Sequence, residues 1–160
     1  MKFKGFTLIE VLTAISVMAI GILGIYALVP RMIYVRAINT DRFIASQLAR
    51  EGIEIVRNIR DSNWLQQGLN WDNGLRHCEN GCEADYNDTT LTSFADRFLR
   101  IDTLTGFYNY DPPSQTNLKT KFKRKIIITP ETDTLNVKVQ ITWGGKGSPF
   151  EVEENLYNWR

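Results

Sequence analysis

Nineteen consecutive residues without a charge, Val11 to Val29, constrain this chain more than anything else in its 160 residues. As a helix the run is ~28 Å long, close to the thickness of a bilayer's hydrocarbon core. Ten of the nineteen are Leu, Ile or Val; at roughly −0.3 to −0.6 kcal/mol each they favour insertion by about 3 to 6 kcal/mol. Glu10 opposes insertion only from the end of the run, where a charge costs less than at the centre, so insertion wins. Lys2 and Lys4 precede the run and predict a cytoplasmic N-terminus; Arg31 and Arg36 on the far side pull the other way.

A secretory signal would have an apolar core of about 7 to 15 residues followed by a small-x-small cleavage site. This run is longer, and Ala27-Leu28-Val29 is a poor match to such a site. A plain single-pass anchor would leave Glu10 without a purpose, since a carboxylate in lipid needs a partner or takes a proton. The order of features is Lys2, Lys4, Gly5-Phe6-Thr7-Leu8-Ile9-Glu10, then the uncharged run. This order resembles the class III leader of type IV pilins and pseudopilins. The resemblance implies cleavage after Gly5 by a prepilin peptidase and methylation of the new amine on Phe6. It also implies that Glu10 pairs with the N-terminal amine of a neighbouring subunit in a filament.

The length suits one modest domain plus the anchor. The formal charge is +1, and without Lys2 and Lys4 the chain carries 17 basic and 18 acidic residues. No strong field follows, and nucleic-acid binding is not expected. Cys78 and Cys82 flank Glu79-Asn80-Gly81. In an exported domain a disulfide is the default, and Asn80-Gly81 favours the turn that would join them. The alternative is a metal site on His77, Cys78 and Cys82, but structural zinc sites take four ligands.

Along the chain, the anchor is expected to continue as a helix to Arg60, ~80 Å if unbroken, with a kink at Pro30. Ile44, Leu48, Ile55 and Ile59, flanked by Ala45, Ala49, Ile53 and Val56, form an apolar stripe over 41–59, which can be buried only on a soluble domain. The charges of Arg42, Arg50, Glu51, Glu54, Arg57 and Arg60 are placed away from it. Residues 61–95 read as an irregular connection, with a hairpin-type turn signal at Asp72-Asn73-Gly74. Strands follow at 97–102, 106–110, 120–129, 135–143 and 150–156. The clearest is Leu135-Val137-Val139-Ile141-Trp143, apolar at every second residue. The fold class is thus α+β: a long N-terminal helix, membrane-spanning in its first half, packed on an antiparallel β-sheet meander. The expected divisions are a leader over 1–5, a membrane and filament-core helix over 6–29, an amphipathic continuation over 30–60 and an extracytoplasmic β-rich domain over 61–160.

Chemistry is sparse. Gly144-Gly145-Lys146-Gly147-Ser148 lacks the spacing of a phosphate loop and reads as a hairpin turn. Asp85, Asn87 and Asp88 near Glu79 and Glu83 lack the EF-hand pattern and read as a solvated acidic loop. Asn87-Asp88-Thr89 fits a glycosylation sequon. One histidine and no nucleophile–base pair argue against an enzyme. No cofactor, metal or small-molecule substrate is expected. Lys119, Lys121, Lys123, Arg124 and Lys125 form the densest charge cluster, read as a solvated strand face, with an edge guard or a surface for DNA or an acidic partner as alternatives; DNA is disfavoured because the net charge is near zero and only Phe122 interleaves the cluster.

A second likeness lies further on. Ala49-Arg50-Glu51-Gly52-Ile53-Glu54, then Arg57-Asn58-Ile59-Arg60-Asp61 with Trp64, and the ending Leu156-Tyr157-Asn158-Trp159 are similar to minor pilins of the PilV type, the type IV pilus modification proteins. Together the resemblances imply a minor pilin or pseudopilin held in the cytoplasmic membrane with its domain outside. Its partners would be the peptidase, other pilins and the assembly machinery, and its destination a type IV pilus or related secretion filament. The alternative is an uncleaved, membrane-anchored binding domain. The leader does not choose among adhesion, DNA uptake, motility and secretion.

Overall fold

Apolar residues at helical spacing end near residue 65, alternating ones begin beyond residue 95, and the computed structural model, which describes residues 5–158, follows that change. Lys2, Lys4 and Trp159 lie outside the described residues. Helix α1 spans Leu8–Leu65, and Pro30 stands inside it without ending it. The chain divides into two units, 1–40 and 41–160. In the first, the apolar side chains from Phe6 to Val35 stand exposed, with no stripe set apart from the rest.

In the second unit α1 buries Ala45, Leu48, Ala49, Ile53, Ile55, Val56 and Ile59, with Ile44 half-buried beside them. Their partners come from an antiparallel meander: β6 Lys123–Pro130, β7 Thr134–Thr142 and β8 Phe150–Tyr157. Alternation puts Ile126 and Ile128 of β6, and Leu135, Val137, Val139 and Ile141 of β7, on the inner face, each almost wholly buried. The register pairs like with like: Ile126 with Val139, Ile128 with Val137, Leu135 with Leu156. Apolar cross-strand pairs of this kind both stabilise a sheet and hold its register.

Two short strands extend the meander on its β6 side. These are β1 Cys82–Glu83 and β2 Thr92–Ser93, giving the order β2-β1-β6-β7-β8. They fall in the stretch expected to be irregular; two residues are too few to show a period. The strands expected at 97–102 and 106–110 form, but not in the meander. β3 Arg100–Asp102 and β4 Tyr108–Asn109 join β5 Asn117–Lys119 in a separate sheet of order β4-β3-β5. The turn signal at 72–74 is real, with Leu75 N donating to Asp72 O at 3.0 Å, but no strands flank it. The Asn63 side-chain amide instead ties it to α1, donating to Trp71 O and Asn73 O at 3.1 and 2.8 Å.

Arg124 corrects the reading of the basic cluster. It sits on the inner face of β6 and is 0% exposed. Its guanidinium donates to Glu51 Oε1 (3.0 Å) and Leu48 O (3.3 Å) on α1, and to Ala84 O (2.7 Å) just after β1. The strand period places positions 123 and 125 outward and 124 inward, whatever their charge. Arg60 is likewise buried, pairing with Asp61 at 2.9 Å and lying 4.6 Å from the Trp64 ring centroid. The long arginine side chain needs space above the sheet, and Gly52 supplies it. A Cβ on Gly52 would lie 2.8 Å from Val139 Cγ1 and 3.2 Å from Arg124 Cδ.

Replacing Gly52 with Ala is expected to destabilise the second unit by about 1 to 3 kcal/mol, the range for overpacking a tight contact, despite the better helix propensity of Ala. Urea unfolding of the full chain in detergent, followed by tryptophan fluorescence, measures it. An unchanged midpoint would mean that the helix and β7 do not meet as closely as described.

Candidate functional site

At the N-terminus the structure joins residues that the sequence reading treated separately. Thr7 stands immediately before α1, and Val11 N donates to Thr7 O at 3.3 Å. Thr7 N and Thr7 Oγ1 both donate to Glu10 Oε2, at 2.9 and 3.0 Å, while Glu10 N donates to Thr7 Oγ1 at 3.4 Å. This is a reciprocal capping box, in which the threonine and the glutamate satisfy each other's free amides. The signal is present in the sequence as T-x-x-E, with Thr7 three residues before Glu10. Glu10 therefore has a local structural role within its own chain. Gly5 and Phe6 precede the cap and are exposed. Further in, Thr13 Oγ1 donates to Glu10 O and Ser16 Oγ to Leu12 O, at 3.0 and 2.8 Å, so neither hydroxyl enters an apolar medium unsatisfied.

Cys78 and Cys82 are bonded, with Cα atoms 5.3 Å apart and both side chains buried. The turn between them closes with Gly81 N donating to Cys78 O at 3.0 Å. Gly81 has φ 103°, and a Cβ there would fall 2.1 Å from Lys125 Cε. His77 lies beside the pair, its ligand atom within 4.8 Å of the sulfurs, and its Nε2 is 3.3 Å from Leu91 O. Sulfurs spent on a disulfide are not the thiolates a metal would require.

The acidic loop is only partly solvated, a second correction. Glu83 is 0% exposed, and its Oε1 accepts from Arg97 Nε at 2.5 Å. Asp85 is buried, accepting from Tyr86 N at 2.6 Å and Tyr110 N at 3.0 Å. Burial pushes the Asp85 carboxyl above its ordinary range, and the like charges of Asp88 and Asp111 add to this, against the two amide bonds. Burial also raises the Tyr110 phenol, to about 12. Asp88 is exposed and ties the loop by accepting from Asp85 N at 2.6 Å. These carboxylates are spent on backbone and on Arg97, not gathered around a common point.

The outward lysines of the basic cluster lie against aromatic rings. Lys119 and Lys123 sit 4.0 and 4.6 Å from the Phe98 centroid, and Lys125 sits 5.3 Å from that of Phe94. Lys121 and Lys123 also pair with Asp41 and Asp96, at 2.6 and 2.5 Å. Lys123, Arg124 and Lys125 lie on β6, which has β1 and β7 on its two sides, whereas Lys119 lies on β5, an outer strand of the second sheet.

Residues 1–26 match the family model described as the prokaryotic N-terminal methylation motif. No curated protein and no solved structure matches the chain. The motif and the exposed apolar helix that carries it support a membrane-anchored, type IV pilin-like prepilin, processed by its peptidase. They point to a structural subunit rather than an enzyme.

Two outcomes are expected. Replacing both Cys78 and Cys82 with Ala should cost about 2 kcal/mol, since the loop they close is short; thermal unfolding with and without reductant measures it, and reductant should not affect the double variant. The second concerns pH. The folded state holds the Asp85 proton more tightly than the unfolded state does, so the residue's contribution to stability is greatest below the ordinary carboxylate range. It declines as pH rises through the raised folded value. Thermal midpoints between about pH 3 and pH 6 should therefore rise more with pH in Asp85→Asn than in the parent, whatever the absolute loss. Parallel profiles would contradict the raised value.

Proposed function

We propose that the chain is a minor pilin or pseudopilin of the PilV-like kind. It is inserted with its N-terminus in the cytoplasm, cut after Gly5 and methylated on Phe6. It is then drawn into a type IV pilus or related secretion filament. The observation that carries this reading is the methylation motif at residues 1–26, continuous with a helix whose first-unit side chains stand exposed. Such a surface is covered by lipid in storage and by other helices after assembly. On this reading 6–29 form the filament-core helix and the β-rich domain faces outward. Glu10 Oε2 already serves the cap, and Oε1 makes no hydrogen bond among the described residues, which leaves it for the amine of a neighbouring subunit.

The capping box supports a second reading. If Glu10 serves only its own helix, the chain can be an uncleaved membrane-anchored domain. Glutamine in the same position still closes a capping box but carries no charge. Glu10→Gln thus separates the roles. In cells with an assembling filament, it should be cleaved yet fail to enter the filament, as should Glu10→Ala. If Glu10→Gln is incorporated like the parent while Glu10→Ala is not, the cap is the whole function of the residue. Intact mass and N-terminal sequencing, with and without co-expressed peptidase, test the processing step. The expected product starts at Phe6 with an added methyl, and a chain starting at Met1 under both conditions refutes the pilin pathway.

A further inference from the structure

Where α1 ends, its exposed surface changes character. Upstream that surface carries charge, at Arg50, Glu54 and Arg57; the part that borders the cleft presents neutral groups, with Asn58 and Ser62 four apart on one face and Gln66 one residue past the helix end, while half-exposed Asp61 is not among the lining residues. Opposite them stands the loop of Tyr86, Asn87, Asp88 and Thr89, and between the two lies a cleft of about 340 Å³ floored by Ile59. Among the described residues, Asp88 is the one charged residue lining it, although 23% of the chain is charged. The side chains of Asn58, Ser62, Gln66, Asn87 and Thr89 make no hydrogen bond among the described residues, so both walls offer donors and acceptors to whatever enters.

The walls are also held in place. Asn63 is fixed by its bonds to Trp71 O and Asn73 O. The loop is tied by Asp88 N donating to Asp85 O at 3.2 Å and Asp85 N donating to Asp88 Oδ2 at 2.6 Å. The Tyr86 ring is stacked on Phe107, centroids 4.7 Å apart.

We propose that this cleft binds a neutral saccharide, an inference independent of the filament reading. The volume is in the range of small-ligand sites. Amides and hydroxyls that both donate and accept suit a ligand that is itself all hydroxyl. Asp88 Oδ2 is held by Asp85 N, which leaves Oδ1 to accept from a sugar hydroxyl, and the Tyr86 ring borders the apolar face of a sugar. A hard cation is poorly served, because calcium takes six to eight oxygens and several carboxylates. An anionic ligand would meet Asp88 with no lysine or arginine in the lining.

The test is saturation-transfer NMR on the full chain in a zwitterionic detergent free of sugar, with lactose, N,N′-diacetylchitobiose and mannobiose as probes. At least one should receive transfer, with affinity weakened about tenfold in Gln66→Ala and in Asp88→Asn. Ser62→Trp, at an exposed position, fills the cleft and should abolish transfer while leaving the thermal midpoint unchanged. Absence of transfer to all three sugars, or transfer undiminished in Ser62→Trp, overturns the proposal.

Discussion

A positive charge buried between helix and sheet sets the terms for the distal domain. Arg124 is enclosed on the inner face of β6 among isoleucines and valines. It is tolerable there because Glu51, Leu48 O and Ala84 O receive protons from its two terminal nitrogens, although Nε has no partner among the described residues. A buried ion pair of this kind adds little net stability, but removing one partner leaves a costly orphan. What it supplies is position. It binds α1, the end of β1 and β6 at a single point, and only one alignment of helix on sheet meets all three acceptors. Gly52 follows from it, since the helix can lie over Arg124 and Val139 only without a Cβ. Glu83, Arg97 and Tyr110 extend the same polar core outward, with Arg97 paired to Glu83 and stacked 4.6 Å from the Tyr110 centroid.

Helix α1 meets two environments with two kinds of residue. Up to Val35 its apolar side chains stand open, as suits lipid or other helices. From Asp41 it buries one stripe and pins itself by charge, with Arg57 reaching Glu154 on the edge strand β8 at 2.5 Å. The hydrogen bonds of Thr7 and Glu10 close its start. The carboxylate expected to serve a neighbour therefore also ends its own helix.

Much of this was legible in the chain. The uncharged run is continuous, and the 41–59 stripe and the strand Leu135 to Trp143 are periodic, over many residues, and signals of that length survive any tertiary context. The misses have particular causes. Strands β1, β2 and β5 are too short to show alternation. The inward turn of Arg124 was hidden by grouping it with its lysine neighbours, although period two already separated them. Burial of Glu83 and Asp85 could not be read, because a carboxylate's exposure depends on what folds over it. The cleft between 58–66 and 86–89 joins segments twenty or more residues apart, with no shared motif.

The sequence by itself determined what is local and repetitive: a span of bilayer length, a leader of ordered features, a helix with one apolar face and a meander with alternating faces. These follow from backbone geometry and side-chain polarity within a few turns of chain. The tertiary structure alone decided which charges are buried, how the short strands divide between two sheets and which polar residues face one another across a cleft. Those outcomes depend on desolvation and close packing between distant segments, where a single missing Cβ at Gly52 makes room for Arg124.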